Sequence, residues 1–253
     1  MKKIAIVTGA TGGLGKEFTK LLYQENLDEI WAIARNHQKL QGLREELGEK
    51  VILFSKDVST REGIAEIAER LADERPKVCY LINNAGIGKM GTYNDFTMDE
   101  VEQFVSINSR SIVMLCMSVI PYMGKGSHIL NISSQASFQP LPYLNLYVAT
   151  KAFVTSYSRS LNVELRNCGI TVTAVCPGWV DTDLLEKEWN GKEIRFPGIV
   201  KPRPVVQKAL RDAQRGKDMS VYGLYVNSQQ LFSKLIPHRV GMHFWAKSVE
   251  RYH

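Results

Sequence analysis

Short apolar runs alternate with amphipathic stretches along most of the chain. The runs cover residues 4–7, 30–34, 51–54, 78–82, 128–132, 170–176 and 220–226. They are rich in Val and Ile and apolar on consecutive positions, as suits strands covered on both faces of a parallel sheet. Residues 15–25, 39–47, 62–71, 99–122 and 146–166 carry apolar side chains at steps of three and four, the helical period. Strand and helix repeated this way predict right-handed crossovers and an α/β fold: one doubly wound, seven-stranded parallel sheet with helices on both faces. No linker, repeat or low-complexity tract divides the chain, so residues 1–253 read as one domain. Residues 183–204 break the rhythm with Trp189, Gly191, Pro197, Gly198, Pro202 and Pro204. An excursion of that length is expected to serve the substrate.

The first run ends in Thr8-Gly9-Ala10-Thr11-Gly12-Gly13-Leu14-Gly15, and a helical pattern follows at once. Glycines here permit a tight turn and close backbone approach to a pyrophosphate, while the new helix points its free N–H groups at the anion. The turn is also what a plain strand–helix connection could look like. Its spacing, G-x-x-x-G-x-G, resembles the cofactor signature of the short-chain dehydrogenase/reductase family. The resemblance runs from about residue 3 to about residue 226, with further motifs in the family's order. It implies a Rossmann fold and an oxidoreductase that moves a hydride between nicotinamide and a carbonyl or secondary alcohol.

The motifs fall into place on that reading. Gly9, Thr11, Gly13, Leu14 and Gly15 would cradle the pyrophosphate. The stretch 32–39 has no acid to accept from a ribose 2′-OH, whereas Arg35 offers a planar cation to a 2′-phosphate. NADP(H) is therefore expected over NAD(H). Only one of the family's two basic marks is present, because Gly12 occupies the other position. Asp57-Val58 resembles the adenine-contacting pair; Asp57 could equally cap the helix that follows. Asn83-Asn84-Ala85-Gly86 closes the fourth strand. Asn84, Ala85 and Gly86 would approach the cofactor, and the Asn side chains would tie neighbouring strands together.

Tyr147 and Lys151 stand at i and i+4 on one helix face. A tyrosine of ordinary pKa near 10 is a poor proton donor at neutral pH, and a nearby ammonium favours its phenolate. Thirteen residues earlier, Ser134 ends a strand at the carboxyl edge of the sheet, where ligands bind; Ser133 is the alternative. The resemblance assigns catalysis to Ser134, Tyr147 and Lys151, with Asn108 holding a relay water, and gives Tyr147 and Lys151 a share in cofactor binding. Cys176-Pro177-Gly178-Trp179-Val180-Asp181-Thr182 resembles the segment that cradles nicotinamide, so Pro177, Gly178, Val180 and Thr182 join the cofactor set.

Charge and composition narrow the remaining choices. The net charge of +6 is concentrated: residues 201–253 hold ten Lys/Arg against three Asp/Glu, and residues 1–200 hold 22 against 23. No nucleic-acid motif accompanies the basic tail, so no nucleic-acid partner is expected. Residues 227–253 form a basic amphipathic extension in which Pro237 and Gly241 mark two short pieces. It is expected to pack across the substrate mouth or on another subunit, or to meet an anionic membrane surface or acidic carrier. The five histidines are scattered and suggest no metal site. Cys79, Cys116, Cys168 and Cys176 lack C-x-x-C spacing and read as buried, reduced thiols of a cytoplasmic protein. Trp179, Leu184, Leu185, Trp189, Phe196, Phe138 and Tyr143 are plausible pocket walls for an apolar substrate such as a ketosteroid, a 3-oxoacyl chain or a hydrophobic ketone. Homodimers or homotetramers through the two long helices are expected from the family. A protein that binds NADP(H) without turnover is the alternative.

Overall fold

A computed structural model describes residues 1–185, 188–189, 192–194 and 196–250, with Trp189, Lys192 and Glu250 described by backbone alone. Seven strands form one parallel sheet: β1 (Lys3–Thr8), β2 (Glu29–Ala34), β3 (Val51–Ser55), β4 (Lys77–Asn83), β5 (His128–Ile132), β6 (Thr171–Val175) and, after a short hairpin of β7 (Glu188–Trp189) with β8 (Lys192–Glu193), β9 (Met219–Ser220). Their order is β3-β2-β1-β4-β5-β6-β9, so the winding reverses between β1 and β4. The crevice at such a reversal is where doubly wound sheets bind ligands.

The pleat divides β1 between two cores. Ile4 and Ile6 join Trp31, Ile67, Leu71, Leu115 and Val154 on one face. Ala5 and Val7 join Phe18, Leu22, Leu40, Val206 and Leu210 on the other. The first face is covered by α3 (Arg61–Glu74), α5 (Ser111–Val119) and α6 (Asn145–Glu164), the second by α1 (Gly13–Leu22), α2 (His37–Leu47) and α7 (Pro202–Gln214). A sheet covered on both faces needs apolar residues at consecutive positions, which is what its strands carry.

Four differences from the sequence reading have local causes. The long helix expected over 99–122 is α4 (Met98–Val105), a π-helical turn (Ser106–Arg110), α5 and a 3₁₀ turn (Ile120–Tyr122) in succession. This 25-residue run is long and apolar enough to cross a membrane, yet 56% of its most apolar window is buried in the fold. Pro202 and Pro204 open α7 instead of prolonging the excursion, because proline in the first turn lacks an N–H that would be unpaired anyway. The run 220–226 is a strand only over Met219–Ser220. Gly223 turns the chain at φ 90°, and α8 (Leu224–Leu235) begins beside it. The tail divides at Ile236–Pro237 alone, since Gly241 lies inside α9 (His238–Glu250). A side chain at Gly241 would come within 2.7 Å of Gln139 Oε1, so glycine there permits close packing and not a break.

Candidate active site

A cleft of about 760 Å³ runs along the carboxyl edge of the sheet, from Gly9 and Arg35 at one end to Trp245 and Val249 at the other. At the first end the glycines are required by space. Gly9 has φ +61°, and a Cβ on it would lie 2.8 Å from Asn84 Nδ2. One on Gly15 would meet the Gly9 carbonyl at 2.1 Å, and one on Gly13 would meet Thr182 Cγ2 at 2.3 Å. Gly12 has nothing nearer than 3.9 Å and leaves the mouth of the turn open. Gly12 caps α1 without a side chain, and no acid stands in the first turn. Thr11 and Leu14 line the cleft beside them.

The Asn side chains of the motif tie neighbouring elements together, as expected of them. Asn83 Nδ2 donates to Asn131 Oδ1 at 2.8 Å, and Asn131 Nδ2 to Ser158 Oγ at 2.9 Å, which ties β4 to β5 and α6. Asn84 Nδ2 donates to the carbonyls of Thr8 and Gly9, both at 3.1 Å, while the amides of Asn84 and Ala85 donate to Thr8 Oγ1 at 3.0 Å. Gly86 completes this wall. A Cβ there would stand 3.0 Å from Asn108 Oδ1 and 3.5 Å from Lys151 Nζ.

Arg35 is exposed at the cleft rim, with no ion pair among the described residues. Lys39 and Lys56 stand on the same rim; Lys56 is paired with Glu66. Lys39 was not singled out from the sequence, although it closes the acid-free run 32–39. Asp57 and Val58 also line the cleft. Asp57 does not cap α3: Thr60 Oγ1 does so, accepting from Gly63 N at 3.0 Å. Asp57 Oδ1 instead accepts from Ser59 N at 2.8 Å, an Asx turn that fixes the carboxylate at the cleft wall.

At the centre, Ser133 and Ser134 face opposite ways. Ser133 Oγ donates to the Lys151 carbonyl at 2.8 Å and contacts Thr155 Oγ1 at 2.7 Å, and is spent on holding α6. Ser134 caps a 3₁₀ turn, accepting from Ala136 N at 3.1 Å, and is hydrogen-bonded to Tyr147. Burial pushes the Tyr147 phenol up, and the Ser134 bond opposes that. Lys151 is only 4% exposed. Burial lowers its pKa to about 8, against a small opposing influence from Cys176. Its Nζ donates to the Ile132 carbonyl at 2.9 Å and lies 5.6 Å from the centre of the Tyr147 ring. The ammonium was expected to depress the phenol, but in this arrangement it is aimed at a backbone carbonyl and burial dominates Tyr147. Asn108 lies in the π-helical turn, a feature frequent at functional sites. Its side chain accepts from Ile87 N at 2.9 Å and donates to Ile87 O at 2.9 Å and Thr150 Oγ1 at 3.2 Å. It clamps the strand-end loop beside Lys151.

The segment after β6 closes the cleft. Pro177 O accepts from Gln135 N at 2.8 Å, and Val180 bridges Val200. The bridge uses the Trp179 carbonyl and the Asp181 amide, and Val180, Gly178 and Thr182 line the cleft. Phe138, Trp179, Leu184, Leu185 and Phe196 reach it as expected; Tyr143 does not, and the side chain of Trp189 lies outside the described residues. No sequence pattern points to Gln135, whose Oε1 is buried without a partner among the described residues. Its one signal was its place directly after Ser134. Trp245 comes from the tail, its Nε1 donating to Pro142 O at 2.7 Å, so α9 packs across the mouth. Among the described residues no three His, Cys, Asp or Glu side chains are grouped as metal ligands. All four cysteines are free; Cys116 and Cys176 are buried, Cys79 is half-buried, and Cys168, expected buried, is exposed because it sits in the turn before β6.

The model of the short-chain dehydrogenase family matches residues 3–193. The chain belongs to that family. Among curated relatives, the NADP-dependent 3-hydroxy acid dehydrogenase YdfG of Salmonella typhi is 33% identical over 180 residues, 70% of this chain and 72% of that protein. A short-chain dehydrogenase from Sphingobium yanoikuyae, solved in complex with NADPH, superposes with a TM-score of 0.79 at 26% identity, covering 95% of both chains. The bulky-bulky ketone specific alcohol dehydrogenase from Comamonas testosteroni superposes with a TM-score of 0.76 at 25% identity, covering 96% of this chain and 94% of that one. Membership makes this protein an oxidoreductase of the short-chain dehydrogenase family with the fold read from its sequence.

Proposed function

We propose that this protein reduces an apolar ketone, or oxidises the matching secondary alcohol, with NADP(H). The observation that carries the reading is the meeting, in one continuous cleft, of the space-restricted glycine turn with a Ser134-bonded Tyr147 and a buried Lys151. Relatives named for NADP dependence or solved with NADPH support the cofactor. So does the fit of the residues present. The turn at Gly9, Gly13 and Gly15 admits a ligand where no side chain fits, α1 offers uncapped amides to a pyrophosphate, and Arg35 and Lys39 stand where a 2′-phosphate would need cations. Asp57 and Val58 would hold the adenine. Asn84, Ala85 and Gly86 would face the cofactor from β4, and Pro177, Gly178, Val180 and Thr182 would hold the nicotinamide end.

When bound, the nicotinamide supplies or accepts the hydride. Ser134 donates to the substrate oxygen and holds it beside Tyr147. Tyr147, kept protonated by burial, gives its proton to that oxygen as negative charge develops on it. Lys151, charged at neutral pH and anchored on the Ile132 carbonyl, would bind the cofactor's ribose. Asn108 positions the loop at Ile87 and would hold a water through which protons pass from solvent toward Lys151. Leu141, Leu184, Phe196 and Trp245 favour an apolar substrate, and Gln135 offers one acceptor to a donor group on it. Met117, Phe153 and Val163 are exposed on the two long helices, which suits a homodimer or homotetramer.

The test is a panel of ketosteroids, 3-oxoacyl thioesters, 3-oxo acids and hydrophobic ketones, followed by NADPH absorbance with NADH in parallel. Turnover of apolar ketones with NADPH is expected. NADPH binding without turnover of any carbonyl or alcohol would overturn the reading in favour of a silent binder.

A further inference from the structure

The outer faces of α8 and α9 take no part in the cleft. Leu224, Leu231 and Leu235 follow one another at steps of seven and four, a single helical stripe, and are 91%, 58% and 71% exposed. Phe232 stands beside them, Ile236 occupies the turn, and α9 adds Val240 and Phe244, the latter 69% exposed. Single exposed apolar side chains are ordinary, but a cluster on one hairpin marks an interaction surface.

Charge selects the partner. From Leu224 to Val249 there is no Asp or Glu, while Lys234, Arg239 and Lys247 are present with His238 and His243, all five of them exposed. A second copy meeting this face by two-fold symmetry would set three cations against three, with Glu250 at the very end of α9 the one acidic residue of the two helices. An anionic lipid surface answers both features at once, taking apolar side chains at the headgroup–acyl boundary and pairing the cations with phosphates. We propose that α8 and α9 dock this protein on the surface of an anionic phospholipid bilayer.

The same helices carry Tyr225, Gln229, Trp245 and Val249 into the cleft wall, so docking brings the substrate end of the cleft to the bilayer. Given the apolar substrate proposed above, on which this consequence rests, the ketone reaches the cleft from the lipid in which it dissolves.

Flotation of the full chain with vesicles of phosphatidylcholine, alone or mixed with phosphatidylglycerol, tests docking without any turnover assay. Binding to the mixed vesicles at low salt is expected, with weak binding to neutral ones and release as salt screens the surface. Replacing Lys234, Arg239 and Lys247 together by Gln should lower partitioning roughly 100-fold, about five-fold per cation. Replacing Leu231, Phe232 and Leu235 together by Ser should lower it at least about ten-fold through lost apolar burial. Far-ultraviolet circular dichroism and NADPH binding confirm that each variant is folded; none of the six residues lines the cleft. Failure of the folded wild type to float with anionic vesicles at low salt overturns the proposal, as does equal binding to neutral vesicles. A dimer that the Ser variant converts to monomer, with no vesicle binding by either, assigns the face to a second copy instead.

Discussion

The two ends of the cleft are built on opposite plans. At the Gly9 end the wall is backbone: three glycines at which a Cβ would strike a neighbour, and amides of Asn84 and Ala85 pinned to Thr8 Oγ1. At the Trp245 end the wall is side chain: Phe138, Leu141, Trp179, Leu184, Phe196 and Trp245, brought from four separate parts of the chain. A backbone wall restricts which residues the sequence can use, and so leaves a motif. A side-chain wall tolerates any apolar residues of suitable volume, and leaves none. On the proposed function, the dinucleotide would be held at the first end and the substrate chosen at the second.

The largest expected effect lies between the two ends. Tyr147→Phe removes the proton-transfer group and leaves the glycine wall untouched. Turnover should fall by about 10²–10⁴, the usual worth of a positioned acid, while NADPH affinity by fluorescence titration stays within a few-fold. Retention of most of the activity would take the acid's role from Tyr147. Arg35→Ala acts on the backbone end alone. Losing a charge-assisted bond to phosphate should raise KM for NADPH about 10- to 100-fold and leave that for NADH unchanged. An unaltered NADPH/NADH ratio would mean that Lys39 or the turn itself sets the preference.

The pH profile sharpens the same division. Lys151 has its pKa lowered to about 8 by burial, so its charge is present below that value and lost above it. Its hold on the cofactor's ribose and its place in the proton path should weaken with it, and kcat/KM for ketone reduction should drop about ten-fold between pH 7 and pH 9. The same shift makes a stability claim. A lysine depressed in the folded state costs stability wherever it is charged in both states, below about pH 8. That cost is relieved as pH rises toward its ordinary value near 10.5. Thermal stability attributable to Lys151 should therefore rise from pH 8 to pH 10, and Lys151→Met should remove the rise. A reduction profile flat to pH 9.5 would disconnect the lysine from the proton path.

The glycine wall makes a cleaner test of space. Gly15→Ala sets a Cβ 2.1 Å from the Gly9 carbonyl, a backbone atom that cannot step aside. It should destabilise the fold by about 1–3 kcal/mol and weaken NADPH binding. Gly12→Ala has nothing within 3.9 Å and φ of −106°, so its effect on thermal stability should stay within about 0.5 kcal/mol. Equal losses at the two positions would show that flexibility, not space, selects glycine in this turn.

Legibility in the sequence followed this division. The strand from His128 to Ile132 is legible through Ile129, Leu130 and Ile132, which are divided between the two covered faces of the sheet. Helix period alone puts Tyr147 and Lys151 on one face, whereas the joining of Ser134 to them is what the family resemblance implies. The glycine turn was legible because its spacing follows from close approach. What escaped depended on context. The prolines at 202 and 204 look like breakers until the chain direction shows them in a first turn. Gly241 looks like a break until Gln139 is found against it. Asp57 lost its cap role to Thr60 by a difference of three positions. Gln135 and Trp245 carry no pattern, since a buried acceptor and an apolar wall are defined only by what surrounds them.

The smallest effect tests the far wall. Trp245 is held by one hydrogen bond to the Pro142 carbonyl and packs against the cluster of Ala136, Leu144 and Val148, on which Tyr147 also packs. Trp245→Phe keeps most of the apolar area and loses the bond; Trp245→Ala loses both and widens the cleft beside the reacting oxygen. Because the far wall contributes area more than geometry, Trp245→Phe should change KM for a bulky apolar ketone by about three-fold and Trp245→Ala by about ten-fold, the range for partial loss of an apolar contact. KM for NADPH should not move, since the glycine turn and Arg35 lie at the other end of the cleft. A small ketone that does not reach Trp245 should be reduced equally well by all three forms. If KM for NADPH rises with KM for the ketone, the two ends are mechanically coupled through Tyr147 and the division between them fails. If neither moves, Trp245 only covers the protein's own core and the substrate is selected by the wall at Trp179 and Phe196.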